Sequence, residues 1–538
     1  MPDRCDVTWM DATRPVAAAR PDRMQECWIV QERSMTVFEP FRDNSSKIII
    51  DGEIVGSTST LVSDVIDPAT ELRIGSVADA TDAELDAVVD SARRAQRTWA
   101  AMSALERTEA LHKVAQAIEA HRPLLAESLT REMGKPYKEA FDEVTWSIMA
   151  FRYYAEVSRH DHGRVVGPVE AGHMNLVTKH PLGVVGIIMA FNFPYVLVAW
   201  QASAALGAGN AVVLKPSDHT SMSSVLFLKV ILPHLPRGLV GLITGGARVG
   251  AAMVAHKHVH GLAFTGSVGA GRAVAMGCAE HFKKALIETS GNDPFIVMPS
   301  ANLDIAARAA VFAANINAGQ VCTSAERFYI HQDIHDAFVA KVVALTGKIR
   351  IGNGLGKVDM GPMVSNRERT RFEGLVERAI DAGATVAAGG GRPARLNAGF
   401  FVNPVVLTDV APEAEILNTE TFGPGMSICR VADFDQAIAL ANASEYGLGA
   451  NVYTTSLSET HRAINEIESG MTWVNVPLMD NNAAPFGGRK LSGVGSQLGS
   501  EGLDQFRHTR MVMIDPESRP QDFWWFPYAD AEAFAGSE

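Results

Sequence analysis

From Leu182 to Leu214 the chain carries no Asp, Glu, Lys or Arg. A stretch this long and uncharged either spans a bilayer or lies inside a large core. Its punctuation decides between the two: Asn192, Pro194, Gln201 and Asn210 interrupt the apolar pattern, and "NFP" and "GAGN" read as a turn and a stop. The parse that uses all of them is a buried strand "GVVGIIMAF", an apolar helix from Tyr195 to about Leu206, and a second buried strand "AVVLK". Continuous apolar strands joined through a helix belong to a parallel sheet covered on both faces, which argues against a membrane span.

The same alternation continues downstream. "GLVGLITGG" leads into a helix around 248 to 256, "HGLAFTGS" into a helix from about Gly271, and "KALIETSGNDPFIVM" follows. This predicts a doubly wound α/β domain whose ligands lie at the carboxyl ends of its strands. A second α/β stretch has helices expected near 303 to 318, 333 to 346, 366 to 382 and 458 to 468, with strands in "RFYIH", "GFFVNPVVL", "GANVY" and "MTWVNV". Residues 163 to 181 read as a hairpin leaving the main body, and "FRHTRMVMID" as an exposed strand whose open edge suits another subunit. The expected division is an N-terminal extension (1–46), a first α/β domain (47–162 and 182–289), a second (290–491), and a β element with the C-terminal tail (163–181 and 492–538).

With 538 residues, 47% of them hydrophobic, the chain has material for more than one core. A net charge of -13 leaves no basic footprint for nucleic acid. Cys5, Cys27, Cys278, Cys322 and Cys429 are few, odd in number and scattered, so they read as free thiols in a reducing, cytoplasmic setting. The stretch to about Ser46 has acidic residues and no apolar h-region, unlike a secretory signal or a transit peptide.

Residue by residue, the chemistry has two readings each. Cys322 in "NAGQVCTSAERF" is a nucleophile or a small buried hydrophobe. Glu288 ends an apolar strand, where burial raises a carboxyl toward a useful general base, or it is a solvent-facing terminus. Asn192, between two phenylalanines, satisfies local backbone or serves as an oxyanion donor. "FTGSVGAGR" after a strand is a phosphate-binding turn or only a tight turn, and Lys215 with Asp218 suits ribose hydroxyls or a solvated strand end. His256, His258 and His260 in "HKHVH" lack an acidic or cysteine partner at metal-ligand spacing, and no metal is expected.

Taken in order, "FNFP" (191–194), "LKPSD" (214–218), "FTGS" (264–267), "ETSG" (288–291), "GQVCTSAER" (319–327), "ETFGP" (420–424), "WVN" (473–475) and "PFGGRKLSGVG" (485–495) resemble the NAD(P)-dependent aldehyde dehydrogenase superfamily from about Ile48 to Met513. The resemblance implies a Rossmann-like NAD-binding domain, an α/β catalytic domain and a small β oligomerisation element. It implies Cys322 as nucleophile, Asn192 as oxyanion donor and Glu288 as the base that hydrolyses a thioester to the carboxylic acid. A helix N-terminus or the cofactor's positive ring is expected to activate the thiol. Cofactor contacts fall on Lys215, Asp218, Gly266, Ser267, Thr289, Glu420 and Phe422, and the substrate pocket on Tyr195, Trp200, Val321, Thr323 and Asn475.

Asp218 favours NAD over NADP, because a carboxylate accepts ribose hydroxyls and repels a 2′-phosphate. The pocket stretches carry no Lys or Arg, so an apolar, aromatic or hydroxy aldehyde is expected. The alternatives are a semialdehyde of the succinate type, a CoA-acylating enzyme, and a catalytically silent relative. The family's Glu-Leu-Gly-Gly-Lys reads Glu288-Thr289-Ser290-Gly291-Asn292 here, and Gly425 stands where valine is frequent. The implied assembly is a homodimer or homotetramer, with the aromatic tail Phe523 to Tyr528 packed on a neighbouring subunit.

Overall fold

The computed structural model describes residues 38–160, 162–519 and 526. The uncharged run folds as its punctuation requires: Val184–Ile188 and Ala211–Lys215 are parallel neighbours buried at every position, and the helix between them spans Pro194–Gly207. Pro194 opens that helix, where its missing N–H costs nothing. Every residue of the helix is buried, as expected of a helix apolar on all sides. No helix among the described residues is long and apolar enough to cross a membrane.

Val240–Leu242, Ala211–Lys215, Val184–Ile188, Gly261–Thr265 and Lys284–Glu288 lie side by side, all parallel, in the middle of an eight-stranded sheet. The chain builds outward from Val184–Ile188 on one side, then returns to place Gly261–Thr265 on the other. That reversal opens a crevice at the carboxyl ends of these two strands, the usual ligand position in such sheets. A seven-stranded sheet follows, with Val405–Thr408, Gly425–Val431, Ala325–His331, Asp293–Val297, Asn451–Tyr453 and Trp473–Val474 parallel in that spatial order. The chain crosses from the first sheet to the second through Thr289–Asn292. A third sheet of three strands pairs Gly163–Val166, Met174–Pro181 and Arg507–Ile514 antiparallel.

Four expectations change. Residues 38–46 do not stand apart from the body: Phe41, in the short helix Glu39–Arg42, is buried against Val65, Val77 and Met222. Gly493–Val494 belongs to the first sheet, pairing with Ile287 and Glu288, rather than to the oligomerisation element. The strand in "GFFVNPVVL" shrinks to Val405–Thr408, since Pro404 has no N–H for a ladder. The helix expected to reach 318 stops at Asn315, because Asn317 and Ala318 turn into the left-handed region at φ 53° and 55°. Residues 1–37 and the tail call, apart from Phe526, lie outside the described residues.

Candidate active site

Cys322 occupies the loop between the end of Leu303–Asn315 and the start of Ala325–His331. Two glycines let this loop come close to its neighbours. A Cβ on Gly291 would meet the Cys322 carbonyl oxygen at 2.0 Å, and one on Gly319 would meet the Gly423 carbonyl oxygen at 2.2 Å. Backbone from the "ETSG" and "ETFGP" segments is thus pressed against the cysteine loop, and no larger residue fits at either contact. The loop follows a helix C-terminus and precedes a strand, so it does not itself supply a helix N-terminus to the thiol. Burial and the adjacent Glu288 carboxylate push the Cys322 thiol well above its ordinary range.

Glu288, the last residue of its strand, is buried near the Cys322 thiol. Its Oε2 accepts from Gln497 Nε2 and, at 3.4 Å, from Thr265 Oγ1, while Oε1 has no partner. Gln201 Nε2 closes the network by donating to Thr265 Oγ1 at 3.0 Å and to Gln497 Oε1 at 3.2 Å. All three supporting groups are uncharged, so burial dominates and raises the Glu288 carboxyl to about 7. Gln201 and Gln497 were not among the expected site residues. The signal for Gln201 was present, a lone amide on a wholly apolar helix; Gln497 lies far along the chain in a loop with no pattern of its own.

Asn192 lies at the crevice, buried, with its Oδ1 unpartnered. Its backbone carbonyl accepts from Lys135 Nζ at 2.7 Å and from Asn317 Nδ2 at 3.1 Å. Lys135 in turn forms an ion pair with Glu143 at 2.5 Å, both side chains fully buried. Glu143 Oε1 accepts the Tyr195 N–H at 2.8 Å and so caps the helix that follows Asn192. Sequence analysis assigned no role to Lys135 or to the helix Tyr137–His160, which carries Glu143.

Of the cofactor candidates, Lys215, Asp218, Gly266, Ser267 and Thr289 end or follow strands of the first sheet, and Glu420 and Phe422 lie in the loop before Gly425–Val431. Lys215 is buried at the end of its strand and its ammonium is held below the ordinary lysine range by desolvation, opposed by Asp218 and Asp79. Asp218 Oδ1 is buried without a partner. A Cβ on Gly250 would lie 3.6 Å from Lys215 Cε, so glycine there leaves space along the lysine. Gly266 leads into Ser267, which caps the helix Val268–Glu280 by accepting the Ala270 N–H. An orphaned carboxylate oxygen, a desolvated cation and a helix N-terminus fit a dinucleotide.

Glu420 Oε1 accepts the Gly291 N–H at 3.0 Å, and burial with Glu326 nearby pushes its carboxyl to about 8. Glu326 takes the N–H groups of Thr421 and Phe422 at 2.8 and 2.9 Å and so fixes the "ETFGP" loop. The unusual Asn292 donates to the same carboxylate at 2.9 Å. Phe422 meets Phe191 edge-on with ring centroids 5.9 Å apart. The Thr289 hydroxyl donates to the Leu491 carbonyl, which ties it to the 491–492 segment.

Two pocket assignments need correction. Tyr195 is fully buried, stacked on Phe227 at 4.7 Å, with its hydroxyl bonded to Ser128 and Ser223; it faces the first domain's core. Asn475 spends its amide on the Thr454 backbone, accepting at 3.0 Å and donating at 2.7 Å. Val321 and Thr323 are buried on either side of Cys322, and Trp200 packs on Phe486 at 4.9 Å. The histidines of "HKHVH" bond elsewhere, His256 to Asp86 at 3.0 Å and His260 to the Val184 N–H at 3.4 Å.

A crevice at a strand-order reversal, with a thiol near a buried carboxyl where two sheets meet, defines a doubly wound α/β enzyme. The profile of the aldehyde dehydrogenase family matches residues 54–512. The chain belongs to that family and is an NAD(P)-dependent oxidoreductase acting on aldehydes. Glutarate-semialdehyde dehydrogenase of Pseudomonas putida is 33% identical over 470 residues, covering 86% of this chain and 97% of the relative. The NADP-dependent succinate-semialdehyde dehydrogenase GabD of Escherichia coli is 34% identical, covering 87% and 97%. Betaine aldehyde dehydrogenase of Staphylococcus aureus, solved with NAD+, superimposes with a TM-score of 0.87 at 29% identity, covering 92% of this chain and 99% of that one.

Proposed function

We propose that the chain oxidises an uncharged aldehyde to its carboxylic acid with NAD, using Cys322 as nucleophile, Asn192 as oxyanion donor and Glu288 as general base. The observation that carries this reading is the buried Glu288 carboxyl near Cys322, held through Oε2 by Gln497 and Thr265 with Oε1 left without a partner. The thiolate attacks the aldehyde carbon, and the Asn192 amide with the Cys322 backbone N–H receives the developing oxyanion. Such donors contribute about 3 kcal/mol each. When bound, the nicotinamide supplies the hydride acceptor and a positive charge that favours the thiolate. Glu288, with Oε1 free, then takes a proton from the water that resolves the thioester.

That free oxygen also favours hydrolysis over transfer to CoA, which requires no base for water. The substrate class follows from charge. Asp480, an exposed residue in the segment after "WVN", has its carboxyl raised to about 7 by desolvation and by Glu288, so a second acidic group lies near the base. No Lys or Arg lies in Val476–Ala484 to offset them. Neutral aliphatic, aromatic or hydroxy aldehydes are therefore favoured over succinate or glutarate semialdehyde, by at least about tenfold in kcat/KM. A panel run with NAD, with and without CoA, tests both points: preference for a semialdehyde, or a requirement for CoA, rejects the reading.

Asp218 sets cofactor choice. Repulsion between its carboxylate and a 2′-phosphate, on the order of 2 kcal/mol, corresponds to about a thirtyfold preference for NAD. Asp218→Ser should narrow the ratio of kcat/KM values for the two cofactors toward unity, and a wild-type preference for NADP would refute the assignment. For assembly, we propose a homodimer or homotetramer through the outer edge of Arg507–Ile514, where Met511, Met513 and Ile514 are exposed.

A further inference from the structure

We infer that Asn317 is a positioning residue that sets the separation between the nucleophile loop and the oxyanion donor; this rests on the roles proposed above for Cys322 and Asn192. Its side-chain nitrogen donates both of its hydrogens to backbone, one to the Asn192 carbonyl at 3.1 Å and one to the Gln320 carbonyl at 3.1 Å. One carbonyl belongs to the residue that carries the oxyanion amide. The other lies two residues before Cys322. A carboxamide is suited to this brace because its two hydrogens diverge in one plane.

The amide orientation is forced by its surroundings. Reversed, Asn317 Oδ1 would face two carbonyl oxygens; as placed, Oδ1 is buried with no partner. An unsatisfied buried acceptor is destabilising, so the arrangement is maintained against a local penalty. The backbone is equally constrained. Asn317 sits at φ 53°, its N–H donates to Glu139 Oε2 at 3.0 Å, and its carbonyl accepts from Gln320 Nε2 at 2.9 Å. Glu139 lies one turn from Glu143 on the same helix, so the acids anchoring Asn317 and capping the helix after Asn192 share one rigid support.

The left-handed backbone suggests the discriminating variants. Glycine and aspartate both tolerate positive φ, but glycine lacks the side chain and aspartate presents two acceptors where the brace needs two donors. If Asn317 served only to make the turn, Asn317→Gly would behave as wild type. The brace predicts instead that Asn317→Gly and Asn317→Asp each lower the rate of hydride transfer about 100-fold, the scale of a misplacement of roughly 1 Å. KM for NAD should stay within about twofold, and a deuterium isotope effect on aldehyde oxidation should emerge as that step becomes limiting.

A double-mutant cycle with Asn192→Ala isolates the route of the effect. Asn192→Ala alone should cost about 100- to 1,000-fold in hydride transfer. If Asn317 acts through Asn192, Asn317→Gly in that background should cost less than about threefold more. Fully additive losses, or wild-type hydride transfer in Asn317→Gly, would overturn the inference while leaving the oxyanion reading intact. An active Asn192→Ala would remove both. Should the glycine variant fail to accumulate as folded protein, Asn317→Asp, which keeps the side-chain volume, carries the same cycle.

Discussion

Cys322→Ala is expected to abolish aldehyde-dependent NADH formation, leaving no more than about one part in 10,000 of wild-type activity. The loss should be this large because the thiol forms the tetrahedral adduct from which hydride departs. The oxyanion donors have nothing to stabilise until that adduct exists. Cofactor binding should survive, since Lys215, Asp218 and Ser267 lie at other strand ends and none bonds to the cysteine loop. Quenching of protein fluorescence by NAD would show this, with a dissociation constant within about threefold of wild type. Cys322→Ser should be equally inactive, because a hydroxyl is far less acidic than even the raised thiol. Substantial turnover in either variant would move the nucleophile elsewhere. Among the described residues only Cys278 and Cys429 remain as free thiols, and neither lies in the crevice loops.

Much of this architecture is legible in the sequence because the uncharged run and its breaks leave one sensible parse. Val184–Ile188, Pro194–Gly207 and Ala211–Lys215 fall where periodicity and punctuation put them. The groups named for chemistry also fall at strand ends or in the turns beyond them, where a doubly wound sheet exposes its ligands. What escaped prediction depends on long-range closure. Gln497 reaches Glu288 across 209 positions of sequence, and Lys135 reaches the Asn192 carbonyl across 57. No local pattern encodes such contacts. Tyr195 misled for a related reason: adjacency to Asn192 suggested a pocket residue, but the first turn of a helix rotates successive side chains by about 100°, sending Tyr195 into the core beside Phe227. Asn317 was quoted in the cysteine motif without a role, since its brace appears only when two loops distant in sequence meet.

Glu288→Gln should separate the two halves of the reaction. The amide preserves the shape of the carboxyl but cannot accept a proton from water. Mixing enzyme, NAD and aldehyde should therefore give a burst approaching one NADH per subunit, followed by a steady state slower than wild type by about 100- to 10,000-fold. Hydroxylamine should trap the accumulated thioester as a hydroxamate. The pH dependence supplies an independent check. With the Glu288 carboxyl at about 7, the basic form accumulates as pH rises through that value. Wild-type deacylation should accordingly climb about tenfold per pH unit below 7 and level off above it, and the Gln variant should lose this limb. The variant should also alkylate Cys322 at lower pH, because removing the facing carboxylate relieves part of what raises the thiol. A missing burst would carry a different meaning. Since Glu288 lies near the Cys322 thiol, the carboxylate is placed to act on the nucleophile as well as on water. Absence of the burst with normal cofactor binding would put the base before hydride transfer and make Cys322 with Glu288, rather than the carboxyl alone, the unit that catalyses both steps.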